Sequence, residues 1–312
     1  MRPITLVLAA ALAFAASPAC AADRLTVLLD WFVNPDHAPL YVAAGRGEFA
    51  RRGLQVEMVA PADPNDPPKL VAAGKGDIAL SYQPQLHMQV GEGLPLVRVG
   101  TLVATPLNTL VVLAGGPVKT LADLKGRKVG FSVGGFEEAL LGAMLARHGL
   151  SLKDVTMINV NFSLSPSLFA GHVDAVIGAF RNFELNQMEI EKRPGRAFYP
   201  EEEGVPPYDE LIFVARTDRV SDPKLRAFID AIEAGTMYLV NHPDESWKLF
   251  LAANKDLDDE LNRRAWKDTM PRFALRPAAL DRNRYARFAA FLKGTGLIKE
   301  ALPVEKYAVE LR

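Results

Sequence analysis

After residue 22 the chain alternates short apolar runs with amphipathic stretches. "LTVLLD" (Leu25 to Asp30), "LQVEMV" (Leu54 to Val59) and "DIALSY" (Asp77 to Tyr82) read as strands, and the segments between them predict helices over Pro39 to Arg52 and near Lys69 to Ala73. The alternation resumes with strands "KVGFSV" (Lys128 to Val133), "VTMINV" (Val155 to Val160) and "DAVIGAF" (Asp174 to Phe180), around helices from Glu137 to His148 and near Ser167 to Ala170. Strand and helix in turn favour a mostly parallel sheet. From Asp222 onward the pattern is helical: "DPKLRAFIDAIEAGTMYLV", "DESWKLFLAA", "DDELNRRAWKDTM" and "ALDRNRYARFAAFLKG" each open on an Asp or near a Pro, residues suited to helix starts.

The pattern also repeats. "ARRGL" at Ala50 to Leu54 returns as "ARHGL" at Ala146 to Leu150, 96 residues on, and "AGKGDI" at Ala73 to Ile78 returns as "AGHVDA" at Ala170 to Ala175, 97 residues on. Either match alone is ordinary punctuation; two at nearly one offset predict two similar lobes. "DWFVNPDH" (Asp30 to His37) then corresponds to "SVGGFEE" (Ser132 to Glu138), and "SYQPQ" (Ser81 to Gln85) to "GAFRNFE" (Gly178 to Glu184). All four follow strands, at the carboxyl ends where open α/β sheets bind ligands. "TLVVLAGG" (Thr109 to Gly116) is expected to leave lobe one and "DELIFVAR" (Asp209 to Arg216) to return to it. The expected fold class is therefore α/β, two lobes each with a mixed, mostly parallel sheet flanked by helices, plus a helical tail. Lobe one comprises 22–112 and 212–312, and lobe two 113–211.

Residues 1–21, with Arg2, an Ala-rich apolar stretch and small residues around Cys20, have the layout of a secretory signal peptide cleaved after Ala21. Cys20 is the one cysteine, so acylation there is the alternative, against a poor lipidation motif in Ser17-Pro18-Ala19. Cleavage removes Arg2 from the 36 basic residues, against 37 acidic ones, and leaves a thiol-free chain without a disulfide framework. This near-neutral balance gives no footing for nucleic acid or an acidic membrane surface. About 290 residues suffice for two full cores. No later apolar run reaches the length of a bilayer span, so a soluble exported protein is expected.

Together "LDWxxNxxHxxLYVA" (Leu29 to Ala43), "RGLQVEMV", "LVAAGKGDIALSYQPQ", "TLADLKGRKVGF" and "GHVDAVIG" carry a resemblance to a family. The chain, from Leu25 to Arg216 and more weakly beyond, is similar to the type II periplasmic solute-binding proteins of ABC transporters. Within them it resembles the branch that includes thiamine-pyrimidine binding proteins and the yeast-type pyrimidine synthase. The resemblance implies a periplasmic, monomeric receptor with a ligand buried between hinged lobes, delivering it to a permease driven by a cytoplasmic ATPase. It also implies a departure. The synthase carries a lysine for pyridoxal phosphate and a histidine that donates the pyrimidine just after the strand matching "DIAL"; those positions here read Ser81 and Gln85, and the synthase's cysteine cluster is missing. The expectation is binding of a small molecule, with no cofactor and no chemistry.

The ligand that the resemblance implies, a thiamine-precursor aminopyrimidine, offers flat π faces, accepting ring nitrogens and a donating amine. Trp31, Tyr82 and Phe180 are candidate walls, Asn34, Gln83, Asn108 and Asn182 candidate amides, and Glu137 and Glu184 candidate carboxylates, with Ser81, His37 and Gly134 also in the cleft segments. Structural roles stand beside each: Trp31 and Tyr82 as core packing, Asn34 and His37 as turn and helix-start residues, Glu137 as a first-turn acid favourable to the helix dipole, Phe180 as interior to lobe two. No two of the five histidines share a metal-ligand spacing. Two other readings remain open. The amides of "SVGGFE" could hold an anion at a helix start, as an alkylsulfonate would require. "GFSVG" at Gly130 to Gly134 fits G-x-S-x-G, with Ser132 as a hydrolase nucleophile and Asp174 or Asp218 and His242 as partners.

Overall fold

The computed structural model describes residues 22–311; the expected signal segment and Cys20 lie outside them. The first sheet contains strands β1 (Asp23–Leu28), β2 (Leu54–Val59), β3 (Ile78–Ser81) and β4 (Leu96–Val103). The chain then enters a second sheet through β5 (Asn108–Leu113), β6 (Lys128–Phe131), β7 (Thr156–Asn159), β8 (Ala175–Phe180) and β9 (Gly195–Phe198), and returns by β10 (Leu211–Arg216). Strand orders are β2-β1-β3-β10-β4 and β7-β6-β8-β5-β9, one topology used twice. In each sheet three strands run parallel, β1 with β2 and β3, and β6 with β7 and β8. The crossover strand of each sheet, β10 or β5, is antiparallel to both its neighbours.

The sequence echo maps onto this duplication. Gly53 and Gly149 both sit at φ +71°, each closing the helix that leads into the second strand of its lobe, and Gly74 (+75°) and Gly171 (+69°) do the same before the third. Left-handed helix ends favour glycine, which explains why these two positions recur with their neighbours.

Helices occupy the connections: α1 (Ala38–Gly45), α2 (Glu48–Arg51), α3 (Pro67–Ala72), α4 (Gln83–Gly91), α5 (Phe136–Ala146), α6 (Leu164–Phe169) and α7 (Glu184–Ile190). The single helix expected over Pro39 to Arg52 is two, because Gly47 takes φ +72° between them. The tail supplies α8 (Pro223–Asn241), α9 (Pro243–Ala253), α10 (Glu260–Thr269) and α11 (Arg282–Gly294). Among the described residues no helix is long and apolar enough to cross a membrane.

The lobe boundary differs from the sequence expectation. β5 pairs only with β8 and β9, so residues 108–112, assigned to lobe one, belong to the second sheet, and Leu211 belongs to the first. Both crossover strands are buried and apolar, so sequence alone does not say which sheet receives β5. The crossings lie side by side: Glu210, on the return, accepts the backbone N–H groups of Leu107 and Asn108 on the outgoing crossing, the latter at 2.9 Å. The tail is anchored to lobe one by Arg98, fully buried in β4, whose guanidinium donates to the carbonyls of Pro277, Ala278, Ala279 and Val309 at 2.6–3.1 Å.

Candidate functional site

A cleft with about 390 Å³ of empty space, part of it open to solvent, lies between the sheets at the carboxyl ends of their parallel strands and forms a cavity there. Asp30, Trp31, Asn34 and Asp36 after β1 and Tyr82 after β3 face Glu137 in the first turn of α5, Leu164 at the start of α6, Gly178 and Phe180 in β8, and Phe183 and Glu184 entering α7.

Local chemistry shapes the first jaw. Asn34 caps the turn Pro35–His37: its Oδ1 accepts the Asp36 N–H at 2.8 Å, and its own N–H points at His37 Nδ1 at 3.3 Å. That contact leaves His37 Nε2 as the donor to Asp30 Oδ1, 2.9 Å away, while Tyr82 Oη donates to Asp30 Oδ2 at 2.9 Å. His37 is therefore a completely buried support that orients Asp30, and it does not line the cavity. Tyr82 stacks on Phe136 at 4.8 Å and meets Phe180 edge-on at 6.4 Å, so one ring serves both wall and core. Trp31 packs edge to face on Phe162 of the other lobe at 4.6 Å, and half-exposed Phe32 approaches Phe162 and Phe183 at 6.2 and 6.0 Å. These rings form an aromatic contact between the two lobes.

The second jaw is built around Glu137. Its Oε2 accepts the N–H of Ser132 at 2.8 Å and of Val133 at 3.2 Å, Glu138 takes the Gly135 N–H at 2.6 Å, and Asn65 from lobe one takes the Gly134 N–H at 2.8 Å. Of the "SVGGFE" amides read from sequence as an anion seat, those of Ser132, Val133, Gly134 and Gly135 are thus occupied by protein acceptors. Gly178 makes room for Glu137. It sits at φ +100° in a β-bulge, where the β5–β8 register slips, and its N–H is taken by Asn108 Oδ1 at 3.1 Å. Glu184 Oε2 accepts the Phe180 N–H at 2.6 Å.

Of the twelve candidates read from sequence, Trp31, Asn34, Tyr82, Glu137, Phe180 and Glu184 line the cavity. The other six do not line it. Ser81 donates to Gln85 Oε1 at 2.8 Å; Gln83 accepts the Asp209 N–H at 2.8 Å; Asn182 bridges to Asp36 and Thr269; His37, Asn108 and Gly134 act as described above. Five lining residues, Asp30, Asp36, Leu164, Gly178 and Phe183, are not among the candidates. Both aspartates stand in the quoted motif, but a turn after a strand accepts Asp for its own sake. Gly178 looked like any strand glycine.

The electrostatics are one-sided. The lining holds four carboxyl groups and no lysine, arginine or histidine. Burial pushes Glu137 and Glu184 up to about 8 and Asp36 to about 6, so the two glutamic acids are largely protonated at neutral pH. Such a carboxyl both donates and accepts. Arg181, the one basic residue of the cleft segments, pairs with Glu201 at 2.6 Å and donates to the Leu107 and Asn108 carbonyls at the crossings. Ser132 donates its hydroxyl to the Asn161 carbonyl, not to a histidine. Among the described residues no three His, Cys, Asp or Glu side chains are placed to share a metal ion.

Comparison with known proteins agrees with this architecture. The alkanesulfonate-binding protein SsuA of Xanthomonas axonopodis pv. citri superposes with a TM-score of 0.72 at 16% identity, over 91% of this chain and 97% of its own, which establishes a shared periplasmic binding protein fold. A formylaminopyrimidine-binding protein of Halalkalibacterium halodurans is 37% identical over 238 residues, 76% of this chain and 72% of that one. A putative thiamine biosynthesis protein of Haemophilus influenzae is 55% identical over 295 residues, 94% of each chain. With residues 34–246 matched by the model for "NMT1/THI5 like" proteins, a span that includes every cavity-lining residue from Asn34 onward, the chain belongs to the NMT1/THI5-like family.

Proposed function

We propose that the protein is the substrate-binding component of a periplasmic ABC importer and that it captures a thiamine-precursor aminopyrimidine of the hydroxymethyl or formylaminomethyl type between its lobes. The observation that carries this reading is the lining: aromatic rings and four carboxyl groups, with no basic side chain. A 4-aminopyrimidine presents an accepting ring nitrogen beside a donating amine. A protonated glutamic acid meets both at once, its O–H donating to the nitrogen and its carbonyl oxygen accepting from the amine. The same pair holds with the proton on the ring, as a charge-assisted bond. Rings such as Trp31, Tyr82 and Phe180 suit the faces of a flat heterocycle.

The alkylsulfonate reading fares worse, because an anion would lie among four carboxyls with four amides of its expected seat already taken. The hydrolase reading lacks a base at Ser132, and the Ser81–Gln85 hydrogen bond stands where the synthase reading would need its lysine and histidine. Function as a receptor is thus capture, closure and presentation to a permease. Calorimetry of the chain without residues 1–21, against 4-amino-5-hydroxymethyl-2-methylpyrimidine, its formylaminomethyl analogue, thiamine and taurine, tests the assignment. Tight binding of the single-ring pyrimidines is expected. Binding of taurine with no pyrimidine response would overturn it, and covalent labelling of Ser132 by a fluorophosphonate would revive the hydrolase.

A further inference from the structure

The acid at the edge of the cavity is tied on its far side to both the second lobe and the tail. Asp36 Oδ1 accepts from Asn182 Nδ2 at 2.6 Å and lies 2.7 Å from Thr269 Oγ1, whose single proton it shares with the Ala265 carbonyl one turn back, 2.8 Å away, and Asn182 Nδ2 also lies 2.6 Å from Thr269 Oγ1. All three side chains are buried. The other oxygen, Oδ2, is buried as well and makes no hydrogen bond to protein, although its residue lines the cavity. This triangle joins the turn after β1 in lobe one, the turn after β8 in lobe two and the carboxyl end of α10. Around it α10 touches both sides of the cleft. Asp268 pairs with Asn186 at 2.8 Å and Arg264 approaches Glu189 at 3.4 Å on lobe two, while just beyond the helix the Arg272 carbonyl accepts the Ala104 N–H at 3.0 Å on lobe one.

We propose that Asp36, Asn182 and Thr269 form a latch that couples ligand in the cleft to closure of the lobes and seating of α10, with Thr269 a positioning residue that does not itself touch ligand. A carboxylate is planar, so a ligand donor on Oδ2 orients Oδ1 toward Asn182 and Thr269, and the formed triangle in turn presents Oδ2 to the ligand. Linkage makes the effect reciprocal: whatever the ligand adds to closure, the latch adds to affinity. Asn182 travels with lobe two, so opening breaks two of the three bonds. The bonds to the carboxylate are charge-assisted and shielded from water, the setting in which their loss is felt most. The affinity part rests on the cleft being the ligand site, as proposed above; the closure part does not.

The test uses the chain without residues 1–21, which contains no cysteine, spin-labelled at Gln55→Cys and Lys125→Cys, one exposed position on each lobe. Inter-lobe distances are measured by pulsed electron resonance in the free protein, and binding of 4-amino-5-hydroxymethyl-2-methylpyrimidine by calorimetry. Thr269→Val, nearly isosteric, is expected to broaden the distances toward open forms and weaken binding about tenfold, whereas Thr269→Ser restores both. Asn182→Asp, equal in size but placing a second carboxyl against Asp36, is expected to open the lobes even where the valine variant is too unstable to read. Wild-type distances and affinity in both Thr269→Val and Asn182→Asp, or failure of Thr269→Ser to rescue, would overturn the latch. If the wild-type protein binds no pyrimidine, the proposed function falls, and the distances in the free variants still decide the latch.

Discussion

Replacing Gly178 by alanine tests the architecture of the pocket floor through one methyl group. A Cβ at this position would lie inside van der Waals contact of the Glu137 carboxyl, 2.6 Å from its Cδ, and the backbone is at φ +100°. Positive φ costs an L-residue roughly 1–2 kcal/mol, and forcing a methyl into a packed site costs about 1–3 kcal/mol, so Gly178→Ala should destabilise by about 2–5 kcal/mol. Against a total of about 5–15 kcal/mol this is a large fraction. The two terms separate. Gly53, at φ +71° with nothing within 4 Å of a built Cβ, carries the backbone term alone, so Gly53→Ala should cost about 1–2 kcal/mol. The double variant Gly178→Ala/Glu137→Ala removes the clash and should be less destabilised than the two single changes added, by about 1–3 kcal/mol. Urea unfolding of the four variants and the parent measures this. Additivity in the cycle, or a Gly178→Ala cost no greater than that of Gly53→Ala, would show that Gly178 does not exist to seat Glu137.

Three further outcomes follow from the same site. Because burial raises Glu137 and Glu184 to about 8 from an ordinary value of 4.5, the folded state holds protons that the unfolded chain has released; stability is full below about pH 4.5 with respect to these groups and falls as pH rises toward 8. Melting temperatures between pH 5 and pH 9 should therefore decline in the parent and decline less in Glu137→Gln, and an equal slope in both would refute the assignment. Pyrimidine affinity should fall about tenfold per unit above pH 8, where binding must first restore a lost proton, with proton uptake visible in buffers of different ionisation enthalpy. Trp31→Ala should weaken ligand binding by roughly 1–2 kcal/mol while leaving the melting point of the free protein nearly unchanged, since the ring is only partly buried; a large stability loss would make it a core residue.

The strands, the duplication and the position of the cleft were legible because each has a local cause. Apolar runs mark β1 to β3 and β6 to β8, and paired left-handed glycines such as Gly53 and Gly149 recur because only the backbone demands them. Strand β4 is not legible in the sequence, although all its residues are buried, because Arg98 and Gly100 interrupt its pattern; only the tail carbonyls that receive the guanidinium explain a buried arginine there. Helix α4 is hidden for a similar reason, as Gln83, Gln85, His87 and Gln89 are polar residues buried by tertiary contacts.

The candidate site divides along the same line. Sequence alone placed Trp31, Asn34, Tyr82, Glu137, Phe180 and Glu184 in segments at the carboxyl ends of strands, since the order of strands and helices determines which segments gather at one edge. It could not say which polar groups face the cavity. That choice depends on partners far away in the chain: Asn182 turns to Asp36 and Thr269, Asn108 to Gly178, and the "SVGG" amides to Glu137, Glu138 and Asn65. Each contact consumes a donor or acceptor that a local reading leaves free for ligand. The protonation of the buried acids is likewise a tertiary property, because desolvation exists only once the chain has folded around the carboxyl groups.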